Sequence, residues 1–441
     1  MNWIDAPPLP KGQEMSSIPS SSAGAASIQW TRNDYSRVPF RLYHDPELFR
    51  QEMQRIFRGP TWNYLALAAE FPKVGDFRLI SVGDIPVVVS RSGEQEFSAF
   101  VNRCSHKGAQ IVRKAHGNTR EHVCIYHRWC YSSKGRLMGV PFRRGLRGEG
   151  GMPEDFSPAS VSPRAMRVVN YHGMLFGTFA DEIEELEDYL GEFGTSIIPR
   201  FLHKPIEVIG YSRQLIRGNW KLYAENLRDT YHASLLHEFF VTYGVDRATQ
   251  KGGVKMDARH RHNMNHAYAA SDTQETAREA YAGIQGVKLD RLRLSDTQLL
   301  RHDPEFADRM SLAAPTFFPN MVLIQINNSL STRQVRPRNV DEVEIFTTLF
   351  GYQDDSEDMR RHRLMSANLV GPAGLVSMED GEAIELVHRA TGRDPDGEAV
   401  VEMGGRGPLG DLAHRVTETP VRGFWSYYAE LMGIEPEGAI R

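Results

Sequence analysis

The first periodic signal along the chain is an apolar stripe at helical spacing: Leu48, Phe49, Met53, Ile56 and Phe57. Asp45 just before it is a good N-cap and Pro46 suits the first helical position, so a helix starts there. From about Trp62 to Phe179 the texture shortens to strands and turns. Phe77–Val82, Ile85–Val89 and Phe97–Val101 are strand-like, with turns at Gly83-Asp84 and Ser92-Gly93. This pattern predicts a small antiparallel β domain. Acidic residues 181–188 with Ile183, Leu186, Tyr189 and Leu190 predict a short helix that leaves it. Beyond residue 200 the pattern is mixed: a helix over Trp220–Phe240, a long strand over Met321–Val335, and helices over Asp354–Asn368 and Arg422–Met432. No internal repeat is visible. Residues 7–27 are rich in Pro, Ser, Gly and Ala without periodicity, which predicts a disordered tail. The expected organisation is therefore α+β: a tail at 1–27, an N-terminal helix segment at 28–60 packed on the later domain, the β domain at 61–180, and a larger domain at 181–441.

Composition narrows the function classes. The chain has 441 residues, 41% hydrophobic and 24% charged, with a formal net charge of −4. That balance gives no basic surface for nucleic acid or an anionic membrane. No run approaches the ~18 apolar residues of a membrane span, and the N-terminus lacks the layout of a secretory signal, so a cytoplasmic location is expected. Only three cysteines occur, Cys104, Cys124 and Cys130, which excludes a disulfide framework and fits a reducing compartment.

Two of those cysteines pair with histidines. Cys104-Ser-His106 and Cys124-Ile-Tyr-His127 are two Cys–His pairs on two loops. Such pairs suit a binuclear [2Fe–2S] centre, with thiolates on one iron and imidazoles on the other; neutral imidazoles raise its potential. Zinc sites usually pair Cys with Cys and then His with His, so zinc fits this order less well. Gly108 and Gly135 allow the tight turns that aim backbone N–H groups at cluster sulfurs. Cys130 reads as a buried structural thiol, and the loop from Gly145 to Gly151 as a solvated one.

Such a cluster carries electrons and offers no open coordination position, so the remaining 300 or so residues should hold the chemistry. Asp229, His232 and His237 stand three and five residues apart. Five residues miss a regular helical turn by about 140°, so both histidines can meet one metal only if the helix ends, kinks or bulges between them. Two histidines and a carboxylate form the facial set that leaves iron(II) open to O₂ and substrate. Spacing does not choose the carboxylate among Glu379, Asp380, Glu382 and Glu385. His203, His260, His262 and His266 have no carboxylate spaced to complete a site, and are expected in a solvated loop or strand edge.

The stretches RCSHKGA, CIYHRWCY and KGRLMGVPF resemble the Rieske domain of ring-hydroxylating oxygenases, departing from its usual pattern at Lys107, Ile125 and Arg128. The segment GNWKLYAENLRDTYHASLLH is similar to the iron-binding helix of the same family. Further resemblance, in SRVPF, ANLVGPAG, SMEDGEA and VRGFW, extends over nearly all of Ile28 to Gly433. It is strongest toward the aromatic-acid group, which includes terephthalate dioxygenase, salicylate 5-hydroxylase and three-component anthranilate dioxygenase.

The resemblance implies a helix-grip catalytic domain, an antiparallel sheet with helices. It assigns Cys104, His106, Cys124 and His127 to the Rieske cluster, and His232, His237 and Asp380 to a mononuclear Fe(II). Asp229 becomes a bridge toward His127 of the partner subunit, since the two centres within one chain of such enzymes lie too far apart. Asn226 is implied near the iron, three residues before Asp229 where naphthalene-type relatives have four. Arg333 in NSLSTRQ and Arg415 in HRVTET match positions that bind carboxylate in terephthalate dioxygenase, and Arg offers a bidentate fork for that group. A terephthalate-like dicarboxylate is thus the lead substrate, giving a cis-dihydrodiol, with a salicylate- or anthranilate-type reaction as the alternative. The family further implies a small β subunit in an α₃β₃ hexamer and a separate reductase or ferredoxin drawing on NAD(P)H. A reading of another class is a Rieske electron carrier without catalytic iron.

Overall fold

The computed structural model describes residues 30–269, 273–287, 289, 294–371 and 375–434; the expected tail at 7–27 lies outside them. Asp45 caps the first helix as its position predicts. Its Oδ1 accepts from the backbone N–H of Glu47 (2.8 Å) and Leu48 (3.1 Å). Helix α1 (Pro46–Glu52) then runs into one π-helical turn over Met53–Phe57.

The alternating runs form antiparallel strands. Asp76–Val82, Ile85–Arg91 and Phe97–Val101 lie side by side in a seven-stranded sheet. A separate three-stranded ribbon, Glu121–Val123, Cys130–Ser132 and Leu137–Gly139, packs Tyr131 and Leu137 against Phe77, Val88 and Phe100 of that sheet. Helix α2 (Leu186–Phe201) is longer than the short helix expected and breaks at Gly191, whose φ is +61°.

The second sheet also has seven antiparallel strands, in the order Ile206–Ile216, Glu342–Tyr352, Ser329–Asn339, Met321–Ile326, Leu312–Phe317, Asn263–Tyr268 and Lys251–Met256. The single strand expected over Met321–Val335 is in fact a hairpin. It turns at Asn327-Asn328, with Asn327 at φ +50°, a left-handed conformation that Asn tolerates. One helix was expected over Trp220–Phe240, and three short ones stand there: α3 (Trp220–Asn226), α4 (Ala233–Leu236) and α5 (Glu238–Tyr243). Helix α6 (Gln274–Ala280) covers Val241 through Ala277. The chain closes with α7 (Glu357–Val370), α8 (Val376–Thr391) and α9 (Thr419–Met432).

Two lesser expectations change. His262 is fully buried rather than solvated, because Asn263–Tyr268 is an inner strand and not an edge. Its Nε2–H donates to Tyr189 O (3.0 Å) and its Nδ1 accepts from Phe318 N–H (3.2 Å). Burial drives its pKa down to about 4, which keeps it neutral. His260 and His266 are half-buried and His203 is exposed. Cys130 is half-buried, its thiol 3.5 Å from Glu121 Oε2.

A buried carboxylate ties the N-terminal helix to the catalytic elements. Glu52 accepts from Trp220 Nε1 (2.8 Å) and Tyr428 Oη (2.6 Å), and pairs with Lys221 Nζ (2.6 Å). Both charges are fully buried, so α1, α3 and α9 meet at one compensated pair. Lys221→Met is expected to lower the unfolding free energy by about 3–5 kcal/mol, the cost of an orphaned buried charge. Chemical denaturation checks it, and a loss below about 1 kcal/mol would show the pair to be dispensable.

Candidate metal centres

The cysteine–histidine loops share one construction. In each, the cysteine carbonyl accepts from the residue four positions on: Gly108 N–H to Cys104 O (2.9 Å) and Arg128 N–H to Cys124 O (3.0 Å). Both of those residues have positive φ, +76° for Gly108 and +59° for Arg128, so the departure at Arg128 falls on a left-handed turn. Gly135, at φ +79°, turns the neighbouring ribbon. Cys104 and Cys124 are buried while His127 is exposed. His106 Nδ1 and His127 Nδ1 stand 3.1 Å apart, and the His106 ring stacks on Trp129. Burial raises the Cys124 thiol's pKa, helped by the adjacent Cys104, against backbone N–H groups of Tyr126 and His127 that favour the thiolate. The Tyr131 hydroxyl lies 3.1 Å from Cys104 Sγ. Sulfurs within, imidazoles at the rim and N–H donors around the thiolate fit a two-iron cluster.

The second centre depends on where the chain stops being helical. α3 ends at Asn226, and Asp229 Oδ1 then accepts from Tyr231 N–H (2.8 Å) and His232 N–H (3.1 Å), starting the next turn. His237 sits between α4 and α5 at φ −83°, ψ 80°, well outside helical values. That break falls between the histidines, as their spacing demands. His232 Nε2 and His237 Nε2 each lie 3.4 Å from Asp380 Oδ1, on the first turns of α8. The ligand atoms of these three residues fall within 4.8 Å of one another.

The remaining nitrogens face carboxylates. His232 Nδ1 is 3.5 Å from Asp229 Oδ2, and His237 Nδ1 is 2.8 Å from Glu379 Oε2. Each imidazole is thereby oriented with Nε2 toward the common point, which is how metal-binding histidines are usually held. This separates two of the acidic candidates: Asp380 is turned to both Nε2 atoms, and Glu379 supports His237 from behind. Glu385 Oε1 accepts from Arg217 N–H and faces another way. Asn226 Nδ2 donates to Asp380 Oδ1 (3.1 Å) and lies 3.3 Å from His232 Nε2. Burial disfavours charge on His232, but Asp229 and Asp380 outweigh it and hold its pKa at about 10. Burial likewise raises Asp380, and the histidines with Arg333 overcome it and keep the carboxyl below its usual range. Two imidazoles and one ionised carboxylate, with the second ring nitrogens turned toward Asp229 and Glu379, fit a divalent iron.

The two arginines part company. Arg333 lines a cavity of about 530 Å³ between the sheet and helices α7 and α8. Strand register places it in one row with Thr347 and Ser212, on the helix-covered face. It donates to Tyr223 Oη (3.1 Å) and Ser377 Oγ (3.2 Å), both neutral, and is close enough to Asp380 to interact with its charge. Ser377 is three residues before Asp380, one turn away on α8. Arg415 does not line that cavity. It is fully buried, with Nη1 at 2.5 Å and Nη2 at 2.9 Å from the Asp246 carboxylate, and with further bonds to Asn265 and Arg247 O. Its charge is neutralised within the fold.

Asp380→Ala is expected to leave two irons per chain instead of three while retaining the cluster's visible absorption. Glu379→Gln should keep the third iron but weaken its binding about 10–100-fold, the usual cost of losing an outer partner. A ligand cannot be protonated, so protons compete at His232 below a pKa of about 10. Apparent affinity for Co(II), used in place of iron, should therefore rise as pH goes from 7 toward 9. Metal titration monitored by absorption checks this, and a flat profile contradicts it.

Comparison with known proteins agrees with this geometry. Residues 61–148 match the Rieske [2Fe-2S] domain, and residues 200–434 the ring hydroxylating alpha subunit catalytic domain. The chain is 43% identical over 410 residues to the anthranilate 1,2-dioxygenase large subunit of Burkholderia cepacia, covering 93% of this chain and 96% of the relative. It is 44% identical to terephthalate 1,2-dioxygenase terminal oxygenase subunit alpha 2 of Comamonas sp., covering 92% and 98%. Salicylate 5-hydroxylase large oxygenase component of Ralstonia sp. shares 37% over 92% and 96%. In fold it resembles naphthalene 1,2-dioxygenase from Rhodococcus sp. bound to indole, with a TM-score of 0.73 at 24% identity, covering 90% of this chain and 94% of that one. No helix among the described residues is long and apolar enough to cross a membrane. With a Rieske [2Fe-2S] cluster and a mononuclear iron on one chain, the protein belongs to the ring-hydroxylating Rieske oxygenase alpha subunits.

Proposed function

We propose that this chain is the terminal oxygenase subunit of a multicomponent system that hydroxylates an aromatic carboxylic acid with O₂, binding the substrate carboxylate at Arg333. The observation that carries it is a buried guanidinium bonded only to neutral hydroxyls, one of them on Ser377 a turn before Asp380, at the wall of a cavity sized for a small aromatic. No carboxylate among the described residues hydrogen-bonds this guanidinium, and Asp380 offsets its charge only through space, so its N–H groups can serve an anionic ligand. Leu349 and Ile345 give the same cavity an apolar wall for the ring.

The metals, when bound, supply electrons one at a time and the activation of O₂. The chain's residues do the rest. His232, His237 and Asp380 hold the iron, and Asp229 and Glu379 fix the two rings. Asn226 donates to Asp380 and limits how that carboxylate can turn. Asp229 lies at the partly exposed rim and is the link toward His127 of the partner subunit. Exposed His127 and half-exposed His106 form the contact for a separate reductase or ferredoxin. A small β subunit completing an α₃β₃ assembly is part of the same proposal, as are NAD(P)H as the ultimate reductant and a cis-dihydrodiol or phenol as product.

Among aromatic acids, a single carboxylate at Arg333 is favoured, as in anthranilate- or salicylate-type reactions. A terephthalate-like dicarboxylate is the second reading, supported by the 44% identity to the terephthalate enzyme subunit. It needs a second cation, and at Arg415 the substrate would have to displace Asp246. Arg333→Met should raise KM for the preferred acid at least tenfold, the equivalent of losing about 1.5–3 kcal/mol for a charge-assisted bond, with less effect on kcat. Assays of the reconstituted system against anthranilate, salicylate, benzoate and terephthalate check this. An unchanged KM would reject Arg333 as the anchor, and turnover of terephthalate alone would restore the dicarboxylate reading.

A further inference from the structure

A second group of metal-ligating side chains stands apart from both centres. His44, Asp341 and His388 present ligand atoms within 4.8 Å of one another. They come from three separate parts of the chain. His44 follows the 3₁₀ turn Phe40–Tyr43, Asp341 lies in the tight turn between strands Ser329–Asn339 and Glu342–Tyr352, and His388 is on α8. His388 Nε2 is 3.0 Å from Asp341 Oδ1, and the rings of His44 and His388 lie 4.4 Å apart at a tilt of 31°. His388 is buried, and its Nδ1 has no hydrogen-bond partner. His44 Nε2 bonds Thr391 Oγ1 at 2.8 Å.

Access comes through an open cleft of about 620 Å³ that reaches His388 and Asp341, with Glu342 and Glu385 adding negative charge and Arg217 and Arg389 opposing it. The donor chemistry, two imidazole nitrogens and one carboxylate oxygen, is that of zinc with water in the fourth position.

We propose that His44, His388 and Asp341 bind one zinc ion, which clamps the N-terminal segment to the C-terminal half of α8. Donor atoms around one tetrahedral zinc stand about 3.3 Å apart, given bonds near 2.0 Å, so the group closes by side-chain rotation, chiefly of exposed Asp341. The site draws on no residue of the iron centre, and it stands or falls independently of the substrate assignment.

The test uses the iron-loaded enzyme, so that zinc finds the mononuclear site already filled. After incubation with Zn²⁺ and gel filtration, metal analysis should show one added zinc per chain. Diffraction at the zinc edge should place it between His44, Asp341 and His388. Asp341→Asn, at an exposed turn where folding is undisturbed, and His44→Ala should each weaken zinc binding at least tenfold. Zinc should raise the Tm of the parent protein and leave that of Asp341→Asn unchanged. Zinc found only at the iron centre or at His106 and His127, or bound equally by both variants, would overturn the proposal.

Discussion

The catalytic half is organised by one geometric conflict: His232 and His237 are five residues apart and must face a single carboxylate from α8. On a continuous helix they would point about 140° apart. The chain resolves this by giving up regular helix twice, between Asn226 and Ala233 and again at His237. Each break loses backbone hydrogen bonds, and side chains make up part of that loss. Asp229 accepts the free N–H groups of Tyr231 and His232 while its second oxygen faces the His232 ring. One residue thus starts the turn that leads into α4 and faces the His232 ring.

Bringing Asp380 to that point requires α8 to lie close on the sheet. Gly381 permits it, since a Cβ there would meet Gln214 Nε2 at 2.6 Å, and Gln214 in turn donates to Ser377 O (2.6 Å). The same close approach brings Ser377 and Arg333 to the wall of the cavity. Acidic and basic side chains then alternate: Glu379, His237, Asp380, His232, Asp229, with Arg333 beside Asp380. The basic groups around Asp380 offset the desolvation that burial imposes on its carboxylate. Farther back, Glu52 and Lys221 repeat that rule and fasten α3 to the N-terminal helix.

Much of this was legible in the residues. Strand–turn alternation in the β domain, the Asp45 cap and the Cys–His pairs are local signals, decided within a few positions. The histidine spacing by itself requires a break in the helix. What could not be read was long-range. Spacing left Glu379 and Asp380 equivalent, because which of two adjacent carboxylates faces inward depends on how α8 sits on the sheet. Arg333 and Arg415 were alike in sequence, but strand register puts one on the cavity face and a distant Asp246 neutralises the other. His262 read as solvated because its strand's inner position depends on pairing with Leu312–Phe317, about fifty residues on. Resemblance to the family supplied Asp380 where residue chemistry alone had left four choices.

Iron-edge anomalous diffraction from crystals of the iron-loaded protein would locate both centres. One iron peak is expected bounded by His232 Nε2, His237 Nε2 and Asp380 Oδ1, with Glu379 and Asp229 outside it, and a separate pair at the Cys104–His106 and Cys124–His127 loops. Density at the loops alone, or a mononuclear iron bound by Glu379 in place of Asp380, would contradict it.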